Sequence, residues 1–427
     1  MAFRPLEGLS IDLDLFAPPV VESGCLAGDY IEIKPLQAIG AGPLTFFAPP
    51  STDKYLALDR TLLKVTFKVT DAAGAALKAT DVVSVANYTL NTLFSNVKIE
   101  LNSTQIGNSG YLNHYRSYLE TLLSYSDISK NSHLTSALYY QDEAGKMSDL
   151  TTAPMKKRAT FIAGGAEVEV LGRIHTDMTS QPRLLLNETA VRFTFTRNDP
   201  KIVVMCADTL APKIEITDAS LFIRKIQINS SVLLAHTKML MAHTAKYPLK
   251  KVDVLSFSVA SGSQRAHFEN IFPGPMPARL ILGLVKSSAV HGNYSENPFD
   301  FAAFDLNLLS VNIDGQVAGG KPILVNYAKK QLMEPFTQLY LNSGIQLTDD
   351  GATINRDDYA NGGFCLYAFD LTPTQSASDS TWSIQNESNI SIDLGFGTAT
   401  PSVLTLICYV ESRCVLQADK HRNFALV

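Results

Sequence analysis

The chain has 427 residues, 46% of them hydrophobic, so it is long enough for more than one domain and too apolar to be disordered. Lys and Arg number 36 against 41 Asp and Glu, a net charge of −5, which argues against whole-chain nucleic-acid binding because such domains are basic. Only 18% of residues are charged, below the roughly 25% of ordinary globular chains, and a surface so poor in charge is commonly covered in part by partners.

The first residues, 1–27, hold Pro5, Pro18 and Pro19, few strand signals, and the apolar residues Leu13, Leu15 and Phe16. They read equally as an arm that orders against a partner or as a segment packed on its own domain. No 7–15-residue apolar core follows a basic start, so no signal peptide is expected, and no run reaches the ~20 apolar residues of a membrane-spanning helix. Five scattered cysteines without a CxxC pair fit free thiols in a reducing compartment. The Asn-x-Ser/Thr triplets, Asn87 and Asn102 among them, read as products of Asn- and Ser-rich loops.

From there the dominant signal is period-2 alternation, which puts apolar side chains on one face of a sheet. Strands are expected at 30–33 and 44–47. Leu63, Val65, Phe67 and Val69 alternate with Lys64, Thr66, Lys68 and Thr70, and Val97, Ile99 and Leu101 alternate with Lys98 and Glu100. Residues 111–125 break the pattern: Leu112, Tyr115, Leu119, Leu122 and Leu123 form one stripe of a 3.6-residue period. This predicts a helix across a sheet end, with Asn108 or Ser109 as its cap. Lys156, Lys157 and Arg158 make the densest basic cluster, expected in a solvated loop or against an acidic or phosphate-bearing neighbour. Strands follow at 168–174, at 191–196 and at 222–228. The histidines His236 and His243 have no nearby Cys, Asp or Glu to complete a metal site.

The second half repeats the reading, with strands at 252–257, 305–313, 364–370 and 390–396. Two runs, 280–285 and 403–410, are nearly all apolar and predict central strands covered on both faces. Residues 309–315 followed by 326–340 echo 96–102 followed by 111–125: a strand, a turn, then a Tyr-led helical stretch that Pro335 should shorten or kink. The echo suggests two copies of one domain, with a seam in 235–248. Trp382, the only tryptophan, lies in a Ser/Thr-rich loop as an interface anchor or ordinary packing. Phosphate-loop, nucleophile-elbow and zinc-protease motifs are missing, and no cofactor is implied. The residues alone thus describe an all-β, duplicated protein of structural or binding character, for which jelly-roll sandwiches are one standard architecture.

Several stretches then become familiar. Ser10-Ile-Asp-Leu-Asp-Leu-Phe-Ala-Pro-Pro19 resembles the opening of major capsid proteins from Polinton/Maverick elements and adintoviruses. Asn91-Thr-Leu-Phe-Ser-Asn-Val97, Tyr115-Arg-Ser-Tyr-Leu-Glu-Thr-Leu-Leu-Ser-Tyr125, Ser132-His-Leu-Thr-Ser136, Ile223-Arg-Lys-Ile226 and Val232-Leu-Leu-Ala-His236 are similar to that family's first domain. Pro277-Ala-Arg-Leu-Ile-Leu-Gly-Leu-Val285, Gly292-Asn-Tyr-Ser-Glu-Asn-Pro-Phe299 and Gly363-Phe-Cys-Leu-Tyr-Ala-Phe-Asp-Leu-Thr-Pro373 are similar to its second. The chain departs from the family at Tyr55-Leu-Ala-Leu58, usually more acidic, and at Pro335.

The resemblance implies a double jelly roll, two eight-stranded antiparallel sandwiches in tandem with short helices in loops: an arm at 1–27, a first jelly roll at 28–240 and a second at 241–427. It further implies a non-enzymatic capsid subunit of the virion. Its copies form homotrimeric, pseudo-hexameric capsomers that tile an icosahedral shell around double-stranded DNA, with penton and minor capsid proteins as partners and no membrane insertion. Leu13, Leu15, Phe16, Lys156, Lys157, Arg158 and Trp382 are then the candidate assembly contacts. A paired-jelly-roll carbohydrate-binding or glycan-processing protein is the rival reading; it needs an aromatic platform or a carboxylate pair, for which Glu120 and Glu334 are the residues at hand. A penton-like role fits poorly, since one jelly roll is the expectation there.

Overall fold

A computed structural model describes residue 15 and residues 21–78, 80–207, 209–345, 351–379, 381–384 and 386–427; Leu13 and Phe16 lie outside the described residues. Ten strands precede the middle of the chain: β1 (Cys25–Ile33), β2 (Leu44–Ala48), β3 (Lys54–Thr70), β4 (Val83–Val85), β5 (Phe94–Leu101), β6 (Thr104–Asn108), β7 (Val168–Arg173), β8 (Val191–Arg197), β9 (Val204–Cys206) and β10 (Lys213–Ile228). Ten follow: β11 (Ala245–Val259), β12 (Arg265–Phe268), β13 (Arg279–Lys286), β14 (Leu306–Ile313), β15 (Gln316–Val317), β16 (Ile323–Leu324), β17 (Leu366–Asp370), β18 (Ile390–Phe396), β19 (Leu404–Ala418) and β20 (Phe424–Leu426). The helix Ser230–Leu240 lies between the two sets.

The first set builds two four-stranded sheets, β1-β10-β3-β7 and β2-β8-β5-β6, with a small β4-β9 ribbon beside them. The second builds β11-β19-β13-β17, extended by β20, and β12-β18-β14-β15, extended by β16. Every pairing between these strands is antiparallel, and the fold is a double jelly roll with eight principal strands per sandwich. The alternation sets which face is inside. On β3, Val65, Phe67 and Val69 are fully buried, while Lys64 and Lys68 lie on the other face beside Glu169 and Glu215 of the neighbouring strands. Phe46, Phe193 and Phe195 close the first core from the opposite sheet.

The repeat seen in the sequence survives as geometry. Leu101 pairs with Thr104 across Asn102 and Ser103, and Ile313 pairs with Gln316 across Asp314 and Gly315. All four turn residues have positive φ, the two-residue hairpin turn that matches strand twist. A helix follows each hairpin, Asn113–Ser124 in the first half and Met333–Ser343 in the second. The sequence places the second helix too early: it starts at Met333, so Pro335 sits in its first turn, where a missing N–H costs little, and no kink is needed. The first helix has no side-chain cap; Ser109 instead accepts a hydrogen bond from the Val97 amide, 2.8 Å away.

Two strands are much longer than their alternation suggests. β11 and β19 pair without a break from Ala245–Ala418 to Val259–Leu404. At one end Tyr247, Leu249, Leu416 and Ala418 belong to the first core; at the other Val252, Val259, Leu404 and Leu406 belong to the second. At about 3.3 Å per residue this ribbon runs on the order of 50 Å through both cores. β13 and β19 are central and almost wholly buried, as their unbroken apolar runs require. The interior is tight enough at β13 that a Cβ on Gly283 would lie 2.4 Å from a Phe301 ring carbon. Gly283→Ala is therefore expected to destabilise the second sandwich by about 1–3 kcal/mol, read as a lower urea midpoint. A change under ~0.5 kcal/mol would mean that the core has slack the packing does not show.

Candidate functional site

Aromatic packing and buried charge meet at the junction between the two sandwiches. The helix Asn113–Ser124 belongs to the first half in sequence, but its apolar side joins the second core. Tyr118 stacks on Phe299 with ring centroids 4.1 Å apart and planes 8° from parallel, and Tyr115 meets Phe299 and Phe301 edge-on. The apolar stripe predicted at 111–125 thus faces the core of the second half.

The polar side of the same helix carries a buried charge network. The Arg116 guanidinium donates to Glu120 Oε1 at 3.0 Å and pairs with Asp177 Oδ1 at 2.8 Å. Glu120 Oε2 lies 2.7 Å from His175 Nδ1, and His175 Nε2 lies 2.8 Å from the Tyr88 hydroxyl. Two bonds reach it from the second half: the Val252 amide donates to Asp177, and the Tyr409 hydroxyl donates to Glu120. Burial by itself would raise the Glu120 carboxyl, but Arg116 and His175 outweigh it and hold Glu120 below the ordinary carboxylate range. At Asp177 the balance reverses: burial raises its carboxyl and Arg116 only partly offsets it.

A second buried pair sits nearby. Arg158 Nη2 meets Asp142 Oδ1 at 2.5 Å, Arg158 Nε donates to the Val85 carbonyl at 2.7 Å, and Nη1 donates to the Tyr140 carbonyl. From the second half, the Asn297 amide donates to the other Asp142 oxygen at 3.0 Å and to the Met147 carbonyl at 2.7 Å. Asn297 lies in the loop 292–299, which clasps the first sandwich. The Tyr294 carbonyl accepts from the Cys206 amide at 2.9 Å, and the Tyr294 hydroxyl donates to the Pro212 carbonyl at 3.2 Å. Gly292 opens this loop at φ +98°, and a Cβ there would lie 2.9 Å from Lys201 Cβ, so both backbone and space demand glycine. Lys130 adds a third tie: its ammonium donates to the Leu122 carbonyl at 2.7 Å and to Thr353 of the second half at 2.9 Å. Burial pushes its pKa down to about 7, with Asp127 opposing.

The candidate assembly contacts scatter. Leu15 is described and stands 77% exposed. Lys156, Lys157 and Arg158 lie on the helix Ala153–Ile162 and not in a solvated loop. The helix turns Lys156 and Lys157 to solvent, with Lys157 over the Phe161 ring. It turns Arg158 inward, fully buried against Asp142, so Arg158 cannot meet an outside partner. Trp382 is half-buried, with the Arg413 guanidinium 5.9 Å from its ring centre. His236 lies on the helix Ser230–Leu240, 3.0 Å from the Tyr55 hydroxyl, with His243 just beyond. Among the described residues no group of three or more His, Cys, Asp or Glu is placed to hold a metal. Of the two carboxylates weighed for glycan chemistry, Glu120 is committed inside the junction and Glu334 pairs with the exposed Lys321. Sequence reasoning missed Asp142, Asp177 and Asn297 as junction residues. Only Asn297 carried a signal, through the distinctive 292–299 stretch.

No family model matches the chain. A curated protein of Caenorhabditis elegans, the uncharacterized protein F54H12.2, is 26% identical over 397 residues, covering 90% of this chain and 92% of that one. Among solved structures, a chain of the Sputnik virophage aligns with a TM-score of 0.64 at 11% identity, covering 100% of this chain and 93% of its own. The mavirus major capsid protein aligns at 0.53 and 13%, covering 100% and 96%. The Faustovirus major capsid protein aligns at 0.55 and 10%, covering 97% and 92%. These likenesses run the length of both sandwiches and establish the architecture.

Two tests address the junction. Asp142→Ala leaves the Arg158 charge buried and unpaired, and is expected to cost about 3–5 kcal/mol in urea unfolding. Replacing both, Asp142→Leu with Arg158→Met, should recover most of that loss, and a single-variant cost below ~1 kcal/mol would remove the pair from the junction's support. Lys130 has a folded pKa near 7, below the ~10.4 of an unfolded lysine, so the unfolded chain binds the extra proton between those values. Its contribution to stability therefore rises with pH from about 7 to about 10. Lys130→Met should flatten that part of the stability-pH profile, and an unchanged profile would contradict the assignment.

Proposed function

We propose that the chain is a viral major capsid protein, a structural subunit whose copies assemble into a shell. The observation that carries this reading is the rigid coupling of two similar sandwiches by one buried junction, in a fold shared over its full length with the mavirus and Faustovirus major capsid proteins. Two like domains per chain give three chains a nearly six-sided outline. Such a capsomer packs against its copies on every side, which makes the duplication useful. In this reading the chain divides into an arm at 1–27, a first jelly roll at 28–240 and a second at 241–427. It forms homotrimers that tile an icosahedral shell around double-stranded DNA, beside penton and minor capsid proteins, and its place is the virion. It encloses the genome without sequence-specific binding, which accords with its net charge of −5.

The collinear motifs, from the 10–19 opening to the 363–373 stretch, support a lineage with Polinton/Maverick elements and adintoviruses. Nothing in the junction performs chemistry on a substrate in this reading; its charges hold position. Exposed Leu15, Lys156 and Lys157 and half-buried Trp382 remain the proposed contacts, with Leu13 and Phe16 of the arm.

Negative-stain electron microscopy of the purified, untagged chain tests the reading. Uniform triangular-to-hexagonal particles or closed shells are the expected result. Compact monomers across a range of salt and protein concentration would overturn it, leaving the fold without the capsid role.

A further inference from the structure

Between β1, the helix Ser230–Leu240 and the start of β11 lies a cavity of about 600 Å³, within the range of about 300–1,000 Å³ that small-molecule sites occupy. Tyr55, Leu186, Ile228 and Leu240 line it and are buried. Val232 and Met239 line it from the helix. The polar atoms in these walls already have partners. The Tyr55 hydroxyl is 3.0 Å from His236 Nδ1, and the Tyr247 hydroxyl accepts a hydrogen bond from the Leu186 amide at 3.2 Å. Water inside finds few hydrogen bonds, so an apolar chain displaces it favourably.

The rim has the opposite character. Arg183 and Lys246 both line the cavity, and both are exposed. Arg183 Nη1 donates to the Lys246 carbonyl at 2.5 Å, which ties the guanidinium to the start of β11. Among the described residues neither cation has a carboxylate within ion-pair distance. The acid of the lining, Glu22, is turned onto the Gly24 amide at 2.5 Å. Two cations tied together without an acid of their own are a site for a carboxylate, which accepts from two donors at once. We propose that the cavity binds a single-chain anionic amphiphile, a long-chain fatty acid, with its carboxylate on Arg183 and Lys246 and its alkyl chain against Ile228, Val232 and Leu240. The apolar walls select the chain and the rim selects the acid. Such a ligand bridges the helix Ser230–Leu240 and β11, where the polypeptide passes from one sandwich to the other, and stabilises the folded chain by binding it alone. The inference goes beyond the capsid reading and does not depend on assembly.

Equilibrium dialysis of the full-length chain against radiolabelled laurate, kept below micelle-forming concentrations, tests it. A single saturable site per chain and a raised urea midpoint are expected. Decanoate should bind roughly tenfold more weakly, because two fewer CH₂ groups are buried. Arg183→Gln with Lys246→Gln should weaken laurate roughly three- to tenfold and leave 1-dodecanol unchanged. Val232→Phe fills the cavity and should weaken both ligands by roughly tenfold or more. Met239→Trp should do the same from a position that is 58% exposed, so that it keeps the fold even if Val232→Phe does not. Absence of saturable laurate binding would overturn the inference, as would binding that a folded Met239→Trp chain retains in full. Equal weakening of laurate and 1-dodecanol in the Arg183 and Lys246 variant would overturn it too, since charge would not be what is recognised. Laurate binding by chains that never assemble would uphold this inference and count against the capsid reading alone.

Discussion

The paired strands β11 and β19 are the constraint on which the rest of the molecule depends, because each is a member of both hydrophobic cores. A strand cannot bend freely while its ladder of backbone hydrogen bonds is intact, so a ribbon of this length fixes the two sandwiches relative to each other. The domains are therefore not beads on a linker. Their relative placement is written into one continuous hydrogen-bonded element, and the remaining junction contacts refine a geometry that the ribbon imposes.

Those contacts are of two physical kinds. The Tyr118–Phe299 stack and its neighbours bury apolar area, which stabilises without demanding one orientation. The Arg116 network and the Arg158–Asp142–Asn297 set contribute little net energy, since desolvating the charges costs about as much as pairing them returns. A small rotation of one sandwich would strand a buried charge. For the proposed shell subunit this outweighs extra stability, because an angular error within one subunit would be repeated across the whole assembly.

Much of the fold was legible. Period-2 runs located β3, β5, β8 and β18, the two apolar runs marked β13 and the first half of β19, and the stripe at 111–125 found the junction helix. Others were not legible, for stated reasons. The first part of β3, with Tyr55, Leu56, Ala57 and Leu58 all buried, has no alternation because both faces are covered. The ends of β11 and β19 change cores midway, so no single face pattern runs through them. The helix Ala153–Ile162 hides Arg158 on its inner side, and a run of basic residues reads as a solvated surface until an Asp142 is brought against it.

The sequence by itself determined strand identity and an all-β class and suggested duplication, because side-chain alternation and turn chemistry are local and each residue reports its own face. It also carried, through collinear motifs, the resemblance that the length-wise structural likeness to capsid proteins now supports. Only the tertiary structure decided which charges are partners and which domain the 111–125 helix serves. It likewise decided that residues as far apart as Glu120 and Tyr409, or Asp142 and Asn297, share one buried site. Such pairings depend on where two separately folded sandwiches come to rest, and no period or spacing along the chain encodes that distance.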